Sequence, residues 1–252
     1  MVRVQRADMS YVYDLLNIGN ALALLLVLIL LLRGPFRQFR VVVGYVAWEL
    51  ITNTALTTFD LLYNGAAANQ SAPADAVKWY ARLYWSNDVI VDLFRFLLVI
   101  VLTYRATAGG ARRVSTGRIL GGIVVVAVVL PFLVFPMGSK AWPRAAWFNS
   151  TSELLNFGAA IMNLALWGAL LANRNRDPQL AAVSAGLGVV VTGTAVSYGL
   201  RHLIPLQAVF IPNVFLMLTQ ILGWTIWCRA FWPTQNRRRA VDPAPGKAVP
   251  SA

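Results

Sequence analysis

The sequence predicts an all-α integral membrane protein, a bundle of seven transmembrane helices. Of its 252 residues, 58% are apolar and 13% are charged, against roughly 45–50% and about 25% in soluble domains. The mean hydropathy is +0.60. Seven stretches reach the length of about 20 mostly apolar residues that a bilayer crossing requires. The basic residues gather between those stretches, as expected of a chain that threads a membrane repeatedly.

The seven spans are expected at 11–32, 41–63, 80–104, 119–138, 147–172, 179–200 and 206–232. Residues 1–10 form a short external N-terminus. The first span is followed by Arg33 rather than by a small-residue cleavage site, so it is expected to be retained rather than removed as a signal peptide. The fourth is nearly pure hydrocarbon from Ile123 to Phe135, whereas the second, third and fifth carry polar residues. Short connections make sequential helices antiparallel neighbours. Residues 233–252, rich in Pro, Arg and Ala, are expected to be a disordered basic cytoplasmic tail.

Orientation follows from the basic residues outside the membrane. Arg33, Arg37, Arg40, Arg105, Arg112, Arg113, Arg118, Arg174, Arg176, Arg229, Arg237, Arg238, Arg239 and Lys247 make fourteen on one side. Arg3, Arg6, Lys78, Arg82, Lys140, Arg144 and Arg201 make seven on the other. The excess places the N-terminus outside and the C-terminus in the cytoplasm. Arg237-Arg238-Arg239 is expected to lie against anionic lipid headgroups. Arginine outnumbers lysine, and Ala and Val are abundant, which fits GC-rich bacterial coding and hence a bacterial inner membrane.

Several function classes are excluded. The net charge of +12 is spread along the chain instead of forming one basic face, so nucleic acid is not expected as a partner. The lone Cys228 allows no intrachain disulfide and no cysteine-rich metal site. A single histidine, His202, cannot supply two haem ligands or a histidine zinc site. Phosphate loops and dinucleotide fingerprints are missing. Arg82-Leu83-Tyr84-Trp85 with Asp88 and Asp92 is superficially similar to a rhodopsin third helix. A retinal Schiff base needs a lysine in the bundle, however, and Lys78, Lys140 and Lys247 all lie outside it. No catalytic residue, metal or cofactor is expected.

The informative residues are the charges inside the spans, because an ionisable group in hydrocarbon costs at least about 2.5 kcal/mol unless it faces protein or water. Glu49, Asn53, Thr57 and Asp60 fall on one face of the second helix. Tyr84, Asp88, Asp92 and Arg95 fall on one face of the third. Counted inward from Arg40 and Arg105, Glu49 matches Arg95, Asn53 matches Asp92, Thr57 matches Asp88, and Asp60 lies near Tyr84. A polar ladder through the membrane is expected, with Glu49 and Asp92 as partners of Arg95. One arginine does not neutralise Glu49, Asp88 and Asp92 together, so the ladder is either a proton-responsive or cation-binding site or a hydrogen-bonded seam between helices. The candidate ligand- or ion-binding residues are Glu49, Asn53, Asp60, Asp88, Asp92 and Arg95.

Other helices add polar groups: Asp14, Asn17 and Asn20 on the first, Glu153, Asn156 and Asn163 on the fifth, Asn213 and Gln220 on the seventh. Ser150-Thr151-Ser152-Glu153 also fits a capping box at the start of the fifth helix. Pro212 is expected to kink the seventh and free a carbonyl. Ser184, Gly188, Thr192, Ala195 and Gly199 form a small-residue packing stripe on the sixth, which Pro178-Gln179 opens. Tyr11, Tyr13, Trp79, Tyr80, Trp142, Trp147, Trp227 and Trp232 are expected in interfacial belts. Cys228 is expected as a small apolar residue.

Tyr84-Trp85, Leu93-Phe94-Arg95-Phe96 and Tyr104-Arg105, after a basic first loop containing Phe36 and Phe39, resemble a group of uncharacterised bacterial seven-helix integral membrane proteins. The likeness covers the second and third helices best. It implies the architecture and carries no mechanism. The expected function is a non-enzymatic bundle that binds a small ligand or ion in an outward-facing polar cavity, as a sensor or as a subunit working with a protein partner. The alternatives are a small ion- or proton-coupled transporter using Asp88 and Asp92, and a purely structural membrane subunit.

Overall fold

A computed structural model describes residues 2–64, 74–107, 113–135, 144–172, 177–205 and 210–232, with the backbone alone at 2–10, 13, 60–64, 74–78, 113–114, 144–145, 172 and 202. The tail from residue 233 and Trp142 lie outside the described residues. Seven helices are present among them: α1 Val2–Arg33, α2 Arg40–Asn64, α3 Ala74–Thr107, α4 Arg113–Val134, α5 Arg144–Ala172, α6 Pro178–Leu203 and α7 Phe210–Phe231. Five of them, α1, α4, α5, α6 and α7, are long and apolar enough to cross a membrane. The remaining two, α2 and α3, are the carriers of Glu49, Asp60, Asp88, Asp92 and Arg95, which dilute their apolar runs. The chain is a multi-pass membrane protein, and its outward apolar side chains (Leu15, Leu133 and Leu164 are each more than 70% exposed) are its contact with lipid.

The helices close into a ring in the order α1, α2, α3, α5, α6, α7, with α7 returning to α1. α3 also reaches α6 across the middle, and α4 packs from outside on α3 and α5. That peripheral place explains the composition of α4. With little protein to face, Val125, Val126, Val129, Phe132 and Leu133 all point outward, and an all-apolar surface satisfies the bilayer.

Local sequence explains the boundaries. After α1, Gly34-Pro35 halts the helix, and the amides of Gln38 and Phe39 turn back onto the Pro35 carbonyl at 2.9 and 3.1 Å. Arg105, at the end of α3, pins this turn: its Nη1 donates to the Gln38 carbonyl at 2.6 Å, and its guanidinium lies 4.6 Å from the Phe39 ring centroid. α6 starts on an Asp177 cap whose carboxylate accepts from the Gln179 and Leu180 amides, with Pro178 in the first turn. Such a cap contributes about 1 kcal/mol.

Two local expectations are corrected. Pro212 is the third residue of α7, where a proline lacks nothing, and its carbonyl accepts from Ser197 Oγ at 2.6 Å, tying α7 to α6. Glu153 lies well inside α5, which begins at Arg144, so it caps no helix start.

The apolar core fills the half of the bundle nearest Arg33, Arg40 and Arg105. Leu24, Val27, Leu31, Val42, Val46, Leu98, Leu102 and Leu187 are buried there around Tyr45, Trp224 and Trp227. Trp224 and Trp227 meet edge-on at 5.1 Å, and each stands against Tyr45. Their indoles are satisfied internally, Trp224 donating to Asn20 Oδ1 and Trp227 to the Val183 carbonyl, both at 2.8 Å. Trp227 is therefore a core residue and not an interfacial one, and Trp147 is buried as well, whereas Tyr11, Trp79 and Trp232 are exposed. The α6–α7 contact is closest where Gly186 meets Trp227, Gly193 meets Thr219 and Gly223 meets Val190. The expected small-residue stripe is split between partners. Gly188 and Ser184 face Asn163 of α5, while Thr192 points outward.

Candidate functional site

The polar residues occupy the other half of the ring, towards the start of α1. Arg95 is their anchor and is 3% exposed. Its Nη2 lies 3.2 Å from Glu49 Oε1 on α2, and its Nη1 lies 3.0 Å from Asp92 Oδ1, one turn earlier on α3. Nε donates to the Tyr45 hydroxyl at 3.0 Å, and Nη1 also reaches Thr194 Oγ1 on α6 at 3.4 Å. The fork geometry of a guanidinium allows one side chain to hold three helices together in this way. The partners expected from depth matching, Glu49 and Asp92, are the ones that meet Arg95.

The next rung departs from the expected ladder. Asp88 accepts from the Tyr198 hydroxyl of α6. Arg201, one turn further on, stacks over the Tyr198 ring at 4.9 Å and donates to Asn213 Oδ1 of α7 at 2.7 Å. Asn87 accepts from the Trp48 indole of α2 at 3.2 Å. The ladder is thus a network spanning α2, α3, α6 and α7 rather than a seam between α2 and α3.

These groups wall a polar cavity of about 340 Å3. α1 supplies Asn17 and Asn20, α2 supplies Glu49 and Asn53, and α3 supplies Tyr84, Asp88 and Arg95. α6 completes it with Thr194, Tyr198 and Arg201, and α7 with Asn213 and Gln220. A second, more apolar space of about 630 Å3 shares Asn17, Asn53, Tyr84 and Met217 with it and extends past Asp14 and Thr57 between α1, α2 and α3. The shared walls make this space a vestibule to the cavity. Of the six candidate residues, Glu49, Asn53, Asp88 and Arg95 line the cavity. Asp92 is set back behind Arg95, and the Asp60 side chain lies outside the described residues.

Sequence inspection missed Thr194, Tyr198 and Arg201. Their spacing of four and three residues puts them on one face of α6. Two of the three are uncharged, however, and Arg201 sits at a helix end, where it reads as a topological charge. On α5, Ser152 and Asn156 are buried beside Asp92.

Chemically, the cavity offers carboxylates, a guanidinium, phenols and several amides, a set suited to holding a polar solute. No group of three or more His, Cys, Asp or Glu side chains able to hold a metal occurs among the described residues. No protein-family model matches the chain, and no curated protein or solved structure matches it significantly.

Proposed function

We propose that this chain is a non-enzymatic seven-helix membrane protein that binds a small polar ligand in the cavity between α1, α2, α3, α6 and α7. The observation that carries this reading is the cavity itself. A volume of about 340 Å3 falls within the range of about 300–1,000 Å3 typical of small-ligand sites. A seam serving packing alone would bring its polar groups into contact and leave no such space. In this reading all seven helices cross a bacterial inner membrane, with the N-terminus outside and the vestibule opening to that side. The chain then acts as a sensor or as a subunit of a membrane complex, handing ligand occupancy on to a protein partner.

Binding is tested on the full chain in mild detergent, following thermal unfolding against separate panels of amino acids, sugars and organic ions. The expected result is that one class stabilises the protein in a concentration-dependent manner and that Arg201→Gln abolishes the effect. Failure of every class to shift unfolding overturns the reading and leaves the polar groups a structural seam. The alternative, a small ion- or proton-coupled transporter, draws on the same carboxylates and requires access from both sides. Uptake of the stabilising ligand into sealed vesicles, driven by an ion gradient, separates it from a sensor.

A further inference from the structure

Two arginines reach the polar cavity, and the protein serves them differently. Arg95 is spent: its Nε, Nη1 and Nη2 all donate to protein groups, two of which are the carboxylates of Asp92 and Glu49. Arg201 is not. Among the described residues only its Nη2 donates to a protein acceptor, the neutral Asn213 Oδ1, and its Nε is buried without one. No carboxylate of the described residues forms an ion pair with it. A guanidinium carries five N–H donors and keeps its charge in any protein setting, so one left largely unserved on a cavity wall suits an anionic acceptor.

Asp88 lines the same cavity, accepts from the Tyr198 hydroxyl, and pairs with neither guanidinium among the described residues. Tyr198 stands between the acid and the base: its hydroxyl meets Asp88, while Arg201 lies 4.9 Å from its ring centroid. A cavity that holds an acid and a base apart suits a ligand carrying both charges, each meeting its opposite. A simple carboxylate would set its oxygens against those of Asp88, and a simple amine would leave Arg201 unserved beside a like charge. Val91, Leu216 and Met217 add an apolar strip to the wall, where an aliphatic side chain can lie.

We propose that the cavity ligand is a zwitterionic α-amino acid, its carboxylate received by Arg201 and its ammonium by Asp88. This rests on the reading of the cavity as a small-ligand site and narrows that reading to one chemical class.

The test follows thermal unfolding of the full chain in mild detergent with each of the twenty standard L-amino acids. The effective ones are then compared with the acid and the amine of the same skeleton (4-methylpentanoate and 3-methylbutylamine for L-leucine). At least one amino acid is expected to raise the midpoint by roughly 2–4 °C or more, increasing with concentration, and neither single-charge analogue is expected to do so. Arg201→Gln is expected to abolish the shift, and Asp88→Asn to weaken the apparent affinity at least tenfold. An acid analogue as effective as its amino acid overturns the proposal, as does a shift that survives Arg201→Gln. The analogue comparison uses the unaltered chain, so it stays decisive even if both variants fail to fold. Stabilisation by a sugar or a simple organic ion but by no amino acid overturns the zwitterion and leaves the cavity a ligand site, whereas no stabilisation by any class overturns both.

Discussion

Arg95 and Glu49 form a buried ion pair, 3.2 Å apart, between α3 and α2. Both helices are too polar to pass as membrane spans by composition. The pair accounts for how they can sit among apolar neighbours: each charge is the condition for burying the other. Without Arg95, Glu49 and Asp92 keep their oxygens inside the bundle with no counter-charge. Arg95→Leu is therefore expected to destabilise the protein by about 3–5 kcal/mol, read from chemical unfolding in detergent. A loss below about 1 kcal/mol would mean that water reaches these acids freely.

The Tyr198 hydroxyl donates to Asp88 across the α3–α6 contact. Tyr198→Phe keeps the ring and its stacking with Arg201 but leaves Asp88 without its donor. The expected cost is about 1–3 kcal/mol, and adding Asp88→Asn is expected to recover part of it. If Tyr198→Phe unfolds like the wild type, the hydroxyl contributes nothing to holding α6.

Much of this arrangement was legible in the sequence, and the reason is geometric. Helical periodicity assigns each residue to a face, and counting from Arg40 and Arg105 assigns it a depth, which suffices to pair Arg95 with Glu49 and Asp92. Neither rule says which third helix lies opposite. The closed ring brings α6 into contact with α3, so Asp88 pairs with Tyr198 and not with Thr57. Trp227 illustrates the same gap. Near a helix end a tryptophan reads as interfacial, and only the packing of Gly186 beneath its ring makes it core.

Gly186 and Gly199 lie on the same helix and should respond oppositely to alanine. A methyl at Gly186 would collide with the Trp227 ring and the Gly223 carbonyl, whereas Gly199 has open space around the same position. Gly186→Ala is expected to destabilise by about 1–3 kcal/mol through overpacking. Gly199→Ala is expected to be neutral or to stabilise by up to about 1 kcal/mol through helix propensity. Equal effects at the two positions in thermal unfolding would mean that α6 and α7 are not packed as described.

Topology offers a test that requires no folding measurement. The basic residues at the ends near Arg33, Arg40 and Arg105 outnumber those at the opposite ends, which predicts a cytoplasmic C-terminus. A reporter active only in the periplasm, fused after Ala252, is expected to stay silent. Fused instead in the segment between α2 and α3, after truncation there, it is expected to be active. The paired fusions also decide whether α2 crosses the membrane despite Glu49 and Asp60: with the N-terminus outside, a re-entrant α2 would reverse both results, leaving the segment after it cytoplasmic and carrying Ala252 through five further crossings to the periplasm.

The strongest test of the charged network is the coupling between Arg95 and Asp92. Their contact, 3.0 Å between Nη1 and Oδ1, joins residues one turn apart on α3, so neither partner needs tertiary structure to find the other. The tertiary share of the arginine's binding comes from Glu49, Tyr45 and Thr194. In a double-mutant cycle of Arg95→Leu with Asp92→Asn, removing the second charge relieves part of the cost of removing the first. The coupling is expected within about 0.5–3 kcal/mol. The parallel cycle with Glu49→Gln is expected to couple as well, because that pair bridges two helices. Additivity in both cycles would mean that Arg95 is neutralised by groups other than these carboxylates. Coupling to Asp92 without coupling to Glu49 would mean that α2 is not held to α3 by charge, and that the cavity wall on that side rests on Tyr45 and the aromatic contacts beneath it.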